Sequence, residues 1–218
     1  MDSFPTIGNV GIGAFLILAI LFIALLVFIA NVLGRLGIDF HQRQIDAAGR
    51  RGEIIVTDMI CRVLRQGDLL FTNVQIEADG KKTELDNIIV NRQGIFIIEA
   101  KNYSGTLEGT EEDREWIKYH ESGGGNIYVK TVRNPIPQVK RQVYILSTYL
   151  KEAGIRDWID GYIVLVEANS PVNSRYILES LNDIDRAIHP RTQNKVSVAT
   201  MRKIETMFDA YRWRMAAA

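Results

Sequence analysis

A single cysteine, Cys61, excludes an intramolecular disulfide and a cysteine-rich zinc site, and it suits a reducing compartment. Its place in a helical apolar pattern marks it as small core filler. The three histidines, His41, His120 and His189, share no helical spacing, so a histidine-built zinc centre is not expected. No glycine-rich loop opens a helix, which excludes P-loop and dinucleotide folds; Gly123–Gly125 stands between strand-like pieces. Charge is balanced, with 26 Lys+Arg against 26 Asp+Glu, so the chain carries no global nucleic-acid signature, although a local basic groove beside an acidic site remains compatible with neutrality. Hydrophobic residues at 47% and charged residues at 24% are ordinary for a folded protein and exclude large-scale disorder.

Charge is also absent locally. Nothing ionisable stands between Asp2 and Arg35, and the apolar run from Ile12 to Leu33 exceeds the roughly 20 residues that cross a bilayer. A cleaved signal peptide would need a basic start and a shorter apolar stretch. The sequence therefore predicts one transmembrane helix at about 11–33 within residues 1–34, then a juxtamembrane linker or helical extension at 35–48. Arg35, Arg43, Arg50 and Arg51 follow the span and nothing basic precedes it. The expected topology is a single pass through an inner or plasma membrane, N-terminus outside and the domain at 49–218 cytoplasmic.

Within that domain, Val56, Met59, Ile60, Val63 and Leu64 recur at helical spacing, and Glu53 lies on the same inward stripe. Leu69–Ile76 and Thr83–Asn91 read as strands joined at Ala78-Asp79-Gly80-Lys81. Ile95–Lys101 is a third strand, with short β-like pieces at 105–108, 116–119 and 127–132. Asn134-Pro135 opens a helix reaching about Ala153, with Val139, Val143, Leu146 and Leu150 on its apolar face and Gln138, Gln142, Ile145 and Tyr149 beside them. Gly161–Glu167 is a further buried strand and Val198–Arg212 a closing helix. This order predicts an α/β fold, a central mixed β-sheet flanked by helices and preceded by the transmembrane helix.

The strand Gly94-Ile95-Phe96-Ile97-Ile98-Glu99-Ala100-Lys101 ends by aiming a carboxylate and an ammonium from one face. An apolar run ending in opposite charges is costly unless they have chemistry to perform. With Asp86 on the preceding strand, Asp86 and Glu99 can hold a hard divalent cation, Mg²⁺ or Mn²⁺, helped by the Ala100 carbonyl. Lys101 can position or help deprotonate a metal-bound water and offset charge on phosphorus. Glu53 is a candidate further metal ligand, and Gln138 can orient a ligand, a water or the scissile phosphate. Lys130, Arg133, Lys140 and Arg141 are candidate phosphate contacts. Plain readings stand beside these: an ion pair for Glu99 and Lys101, a macrodipole contact for Glu53, a solvated Gln138, and packing roles for Tyr103 and Trp116.

Three segments together carry a family resemblance: Arg51-Gly52-Glu53, Glu84-Leu85-Asp86-Asn87-Ile88-Ile89-Val90, and Gly94 to Gly105 with its Glu99-Ala100-Lys101-Asn102-Tyr103 core. Trp116 and Asn134-Pro135-Ile136-Pro137-Gln138 extend the set. Over roughly 48–153 the chain resembles the nuclease-related (NERD) domain, a branch of the PD-(D/E)xK nuclease superfamily that includes restriction endonucleases and archaeal Holliday-junction resolvases. The resemblance implies a restriction-endonuclease-like sheet. It places the metal-binding acids on Asp86 and Glu99, the catalytic lysine on Lys101, and supporting residues on Glu53 and Gln138. Leu85 stands where the family motif has proline, and Gln142 where some relatives have tyrosine. The implied activity is a membrane-anchored, Mg²⁺- or Mn²⁺-dependent endodeoxyribonuclease that hydrolyses DNA by attack of a metal-bound water. The alternative is an inactive module binding nucleic acid or a protein partner at the membrane; a second copy of the chain is also an allowed partner.

Overall fold

The computed structural model describes residues 8–121, 123–166, 168–169, 172–191 and 195–213, without the side chains of 8–20, 30, 33–46 and 168–169. The chain divides into two compact units, Met1–Ala48 and Gly49–Ala218. Helix α1, Gly8–Val63, contributes to both, so the expected linker at 35–48 is helical extension. In the first unit Leu21, Phe22, Ile23, Leu25, Leu26, Val27 and Phe28 are all exposed. Among the described residues no helix is long and apolar enough to cross a membrane. The transmembrane helix expected at 11–33 is therefore not found there.

The second unit is a mixed α/β assembly. After α1 come β1 (Leu69–Ala78), β2 (Lys81–Val90), β3 (Ile95–Lys101), β4 (Gly105–Glu108), β5 (Glu115–Glu121) and β6 (Ile127–Arg133). Then follow α2 (Ile136–Glu152), β7 (Ile159–Leu165), β8 (Ala168–Asn169), β9 (Ile177–Leu178), α3 (Leu181–Ile188) and α4 (Val198–Met207). Among the described residues the central sheet has the order β1-β2-β3-β7-β9, and a second sheet has the order β6-β5-β4-β8. β1, β2 and β3 pair antiparallel, while β3, β7 and β9 run parallel.

The β1–β2 turn has positive φ at both Asp79 (51°) and Gly80 (65°), as a type I′ hairpin requires. β3 is apolar at four successive positions, Ile95–Ile98, all buried, and such a strand needs cover on both faces. On one face α2 and α4 bring Ile145, Leu146, Leu150 and Ile204 onto Ile88, Val90, Ile95 and Ile97. On the other, Val56 and Ile60 of α1 and Ile184 and Ile188 of α3 cover Ile89, Phe96 and Ile98. Each such fully buried side chain contributes roughly 1.5–3 kcal/mol, so these two layers dominate stability. A third cluster joins the sheets through Leu107, Trp116, Ile136, Val139, Ile163 and Leu165.

Helix α3 has no counterpart among the sequence expectations. Its signal is Ser180, whose hydroxyl accepts from the Asp183 N–H at 3.1 Å as an N-cap. At eight residues it is too short for apolar periodicity to stand out. Asn134 is one residue earlier than the N-cap position, which falls on Pro135, yet its Oδ1 still accepts from Ile136 N–H at 2.9 Å. Its amide also donates to the carbonyls of Glu111 and Asp113, fixing the approach to β5.

The sheet splits at one place. Register between β2 and β3 runs from Val90↔Ile95 to Asn87↔Ile98 and stops, whereas β3 continues beside β7 to Lys101↔Leu165. Here β1 also breaks its alternation. Leu69 and Phe71 share a cluster with Val74, Ile76 and Ala78, so the inward positions change from odd to even. The change falls at Asn73, in the left-handed region at φ 52°, a conformation that asparagine tolerates and β-branched residues resist. Thr72↔Asn87 and Val74↔Leu85 flank it, so Asn73 stands opposite Asp86. Asn73→Gly is expected to unfold within about 0.5 kcal/mol of wild type, and Asn73→Val to lose about 1–2 kcal/mol. Urea unfolding checks this; equal midpoints for the valine variant and wild type would contradict the strain at this position.

Candidate active site

Asp86, Glu99 and Lys101 meet at the split. Glu99 and Lys101 leave the β3 face that α2 covers, because positions two apart on a strand point the same way. Where the β2–β3 ladder has ended, the Ala100 N–H donates to Asp86 Oδ2 at 2.8 Å. A side chain thus completes a sheet bond that backbone no longer can, and it fixes the first acid beside the second.

Glu99 is 3% exposed. A carboxylate so buried needs donors on every side. Lys101 Nζ lies 2.7 Å from its Oε1, the Gln138 amide donates to the same oxygen, and the Gln142 amide donates to Oε2 at 2.6 Å. Gln138 and Gln142 are one helical turn apart on α2, the spacing that puts both amides on one face. Gln142 also donates to the Glu84 carbonyl at 3.1 Å, so both its N–H groups are used and the amide cannot turn over. Its Oε1 is buried with no donor among the described residues. The sequence placed Gln142 beside Gln138 without giving it a role; the four-residue interval was the available signal.

Electrostatics follow from the packing. Burial, reinforced by the charge of Glu99, pushes Asp86 up to about 7. Burial pulls Lys101 down, but the Glu99 carboxylate and its hydrogen bond outweigh this and hold the ammonium above its ordinary value. Lys101 is therefore a cation and donor in this arrangement rather than a proton acceptor. Glu53, on α1, is raised by burial and then by the charges of Glu84 and Glu99. It sits within electrostatic reach of the site. Among the described residues, however, no three His, Cys, Asp or Glu side chains gather as a metal-binding group. The arrangement therefore does not assemble Glu53 with Asp86 and Glu99 as a three-acid cluster.

The donor set nevertheless fits a hard divalent cation. Two neighbouring carboxylates, one raised by burial and then by the charge of the other, are balanced by the single Lys101 ammonium, and oxygen donors are what Mg²⁺ and Mn²⁺ take. Asp86 and Glu99 would hold it, leaving further positions to water and a phosphate oxygen.

The neighbouring motif residues position the site. The Tyr103 hydroxyl donates to the Arg133 carbonyl at 3.0 Å. Gly105 has φ 91°, and a Cβ there would lie 2.1 Å from the Tyr119 carbonyl oxygen, so only glycine lets the chain leave β3 this close to β5. Trp116 is buried and donates to the Thr110 carbonyl, a packing role. Of the four cations expected at phosphates, Lys130 and Arg133 are exposed on β6. Lys140 lies over the Tyr176 ring at 4.8 Å, and Arg141 donates to the Lys82 carbonyl at 3.2 Å. His189 lies away from this cluster, bridging Asp185 at 2.7 Å and Asp68 at 2.9 Å.

Asp86 generates a testable linkage. The unfolded chain ionises this group near its ordinary 3.8, while the folded chain keeps its proton until about 7. Across that window the folded state binds more protons, so stability falls as pH rises. In chelator, wild type is expected to lose melting temperature relative to Asp86→Asn between pH 5 and pH 8. Added Mg²⁺ should recover wild type at pH 8 and leave the variant unchanged. A difference between the two proteins that stays flat with pH would contradict the raised Asp86.

The family model described as nuclease-related domain matches residues 48–166, more than half of the chain and extending through β7. Over 71 residues the chain is 30% identical to an uncharacterized protein of Bacillus anthracis, a match covering 32% of this chain and 34% of that protein. No solved structure matches significantly.

Proposed function

The chain belongs to the nuclease-related domain family, and from that premise we propose that it is a metal-dependent nuclease hydrolysing DNA phosphodiester bonds, on a restriction-endonuclease-like domain held at a membrane by residues 11–33. The observation that carries this reading is the pairing of Asp86 and Glu99 at the end of a split sheet, with the Lys101 ammonium 2.7 Å from Glu99. A second carboxylate stands beside that ion pair, pushed up to about 7 by burial and then by the charge of Glu99, and such clustering of shifted groups is common at functional sites.

A divalent cation bound by Asp86 and Glu99 would draw charge from the scissile phosphate and acidify a water. The remaining tasks fall to the chain. Lys101, as an ammonium, donates to the phosphate oxygens and offsets negative charge as it builds. Gln138 and Gln142 hold the Glu99 carboxylate in one orientation, so little reorganisation accompanies reaction. Glu53 keeps the α1 side of the site acidic and offers a further oxygen for a cation or its water. Lys130 and Arg133 on β6, with Lys140 and Arg141 on α2, offer charge to flanking phosphates.

The membrane part of the proposal rests on the uncharged stretch between Asp2 and Arg35 and on exposed apolar side chains from Leu21 to Ile29, which water disfavours and lipid accepts. The arginines beyond it favour an N-terminus outside and a cytoplasmic domain. A second reading, a binding module without cleavage, is favoured by one observation: Glu99 already has donors on both oxygens.

One preparation tests these parts. The full chain is reconstituted into lipid vesicles, floated on a density gradient, and given supercoiled, linear and single-stranded DNA with Mg²⁺ or Mn²⁺. Flotation and metal-dependent cleavage are expected, with Asp86→Ala and Lys101→Ala each slower by at least about 100-fold. Cleavage unchanged in both variants would overturn the site. DNA binding without cleavage by wild type would establish the second reading, and chain left at the bottom of the gradient would remove the anchor alone.

A further inference from the structure

Strands β5 and β6 form a ribbon at the outer side of the second sheet, where β5 also pairs with β4, and the charges of the ribbon are sorted by face. Side chains directly opposite in an antiparallel pair share a face, and alternate pairs point oppositely. One face carries Glu115 with Arg133, Ile117 with Thr131, Tyr119 with Val129, and Glu121 with Ile127. The other carries Trp116 with Val132, Lys118 with Lys130, and His120 with Tyr128. Both glutamates thus lie on the first face. The second starts in the core at Trp116 and continues outward with only basic and aromatic side chains.

Two lysines directly opposite on a ribbon repel each other. Among the described residues no carboxylate pairs with either; the Lys118 Nζ reaches only the Ser104 hydroxyl, at 3.5 Å. Beyond them Tyr128 is 52% exposed, its ring unburied at the end of the ribbon. This face borders the candidate active site. Ser104 stands three residues after Lys101, the Tyr103 hydroxyl bonds the β6 backbone at Arg133, and Gly105 brings the chain against Tyr119.

Resting on the nuclease reading above, we propose that the Lys118/Lys130 and His120/Tyr128 face of the ribbon grips a nucleic-acid strand with unpaired bases as it enters the site. The occupant is set by charge complementarity: two ammonium groups with no carboxylate partner among the described residues match successive phosphates, and the exposed aromatic pair offers a stacking surface that duplex bases, already stacked on one another, do not need. The substrate class is accordingly DNA with a single-stranded stretch beside the cut, such as a flap, gap or overhang.

The experiment measures fluorescence anisotropy of the full chain in detergent and EDTA, with labelled single-stranded and duplex oligonucleotides. Lys118→Gln/Lys130→Gln is expected to weaken binding by about tenfold and lower the salt slope by one to two. Tyr128→Ala should lose about tenfold on the single strand and little on the duplex. Ile117→Thr, on the opposite face, should bind as wild type. Wild-type binding that survives both ribbon variants, or falls as much in Ile117→Thr, overturns the ribbon and leaves the nuclease reading standing. A wild-type chain that binds neither oligonucleotide overturns both.

Discussion

The candidate site depends on the parting of β2 from β3 after Asn87 and Ile98. Were the ladder to continue, Asp86 would be one more strand residue and the Ala100 N–H would bond to backbone. Because the strands diverge, that N–H takes the Asp86 carboxylate at 2.8 Å, and Glu99 and Lys101 leave β3 with β7 still paired at their side. The left-handed Asn73 stands opposite Asp86, where β1 exchanges its inward and outward positions. A conformational exception on an outer strand therefore coincides with the acid that faces it.

Around that opening, burial and charge work against each other. Glu99 is nearly inaccessible, and an unaccompanied carboxylate there would cost far more than any single packing contact returns. Three donors remove that cost, two of them amides from α2. The helix is held in turn by Ile136, Val139, Ile145 and Leu146, which pack into two separate clusters. Glu99 is thus oriented by the same hydrophobic contacts that fasten α2 to the sheet. Asp86 lacks such a set of donors, and burial beside Glu99 leaves it close to neutrality.

Much of this was legible in the sequence because period and punctuation agree over long stretches. Ile95–Lys101 is a strand with the expected limits, Asp79-Gly80 makes the turn that its residues demand, and α2 spans nearly the predicted range. The family match over 48–166 agrees with the resemblance drawn from Glu53, Asp86, Glu99, Lys101 and Gln138. What escaped sequence reasoning is either short or three-dimensional. α3 is brief, and β8 and β9 are two residues each. The face change at Asn73 leaves no periodic mark, since one asparagine in a strand reads as a weak strand former. Gln142 was assigned to the correct stripe, but its hold on Glu99 depends on how deeply α2 sits. The membrane helix read from residues 11–33 is a property of composition alone; among the described residues no helix is long and apolar enough to cross a membrane.

The central claim is that Asp86 and Glu99 together form a divalent-cation site at the split. Its most direct test is anomalous diffraction from crystals of the chain soaked in Mn²⁺. A peak bridging the Asp86 and Glu99 carboxylates, absent in Glu99→Gln crystals, is the expected result. Soaked crystals with no peak between these carboxylates, or with the same peak in both proteins, would contradict the account.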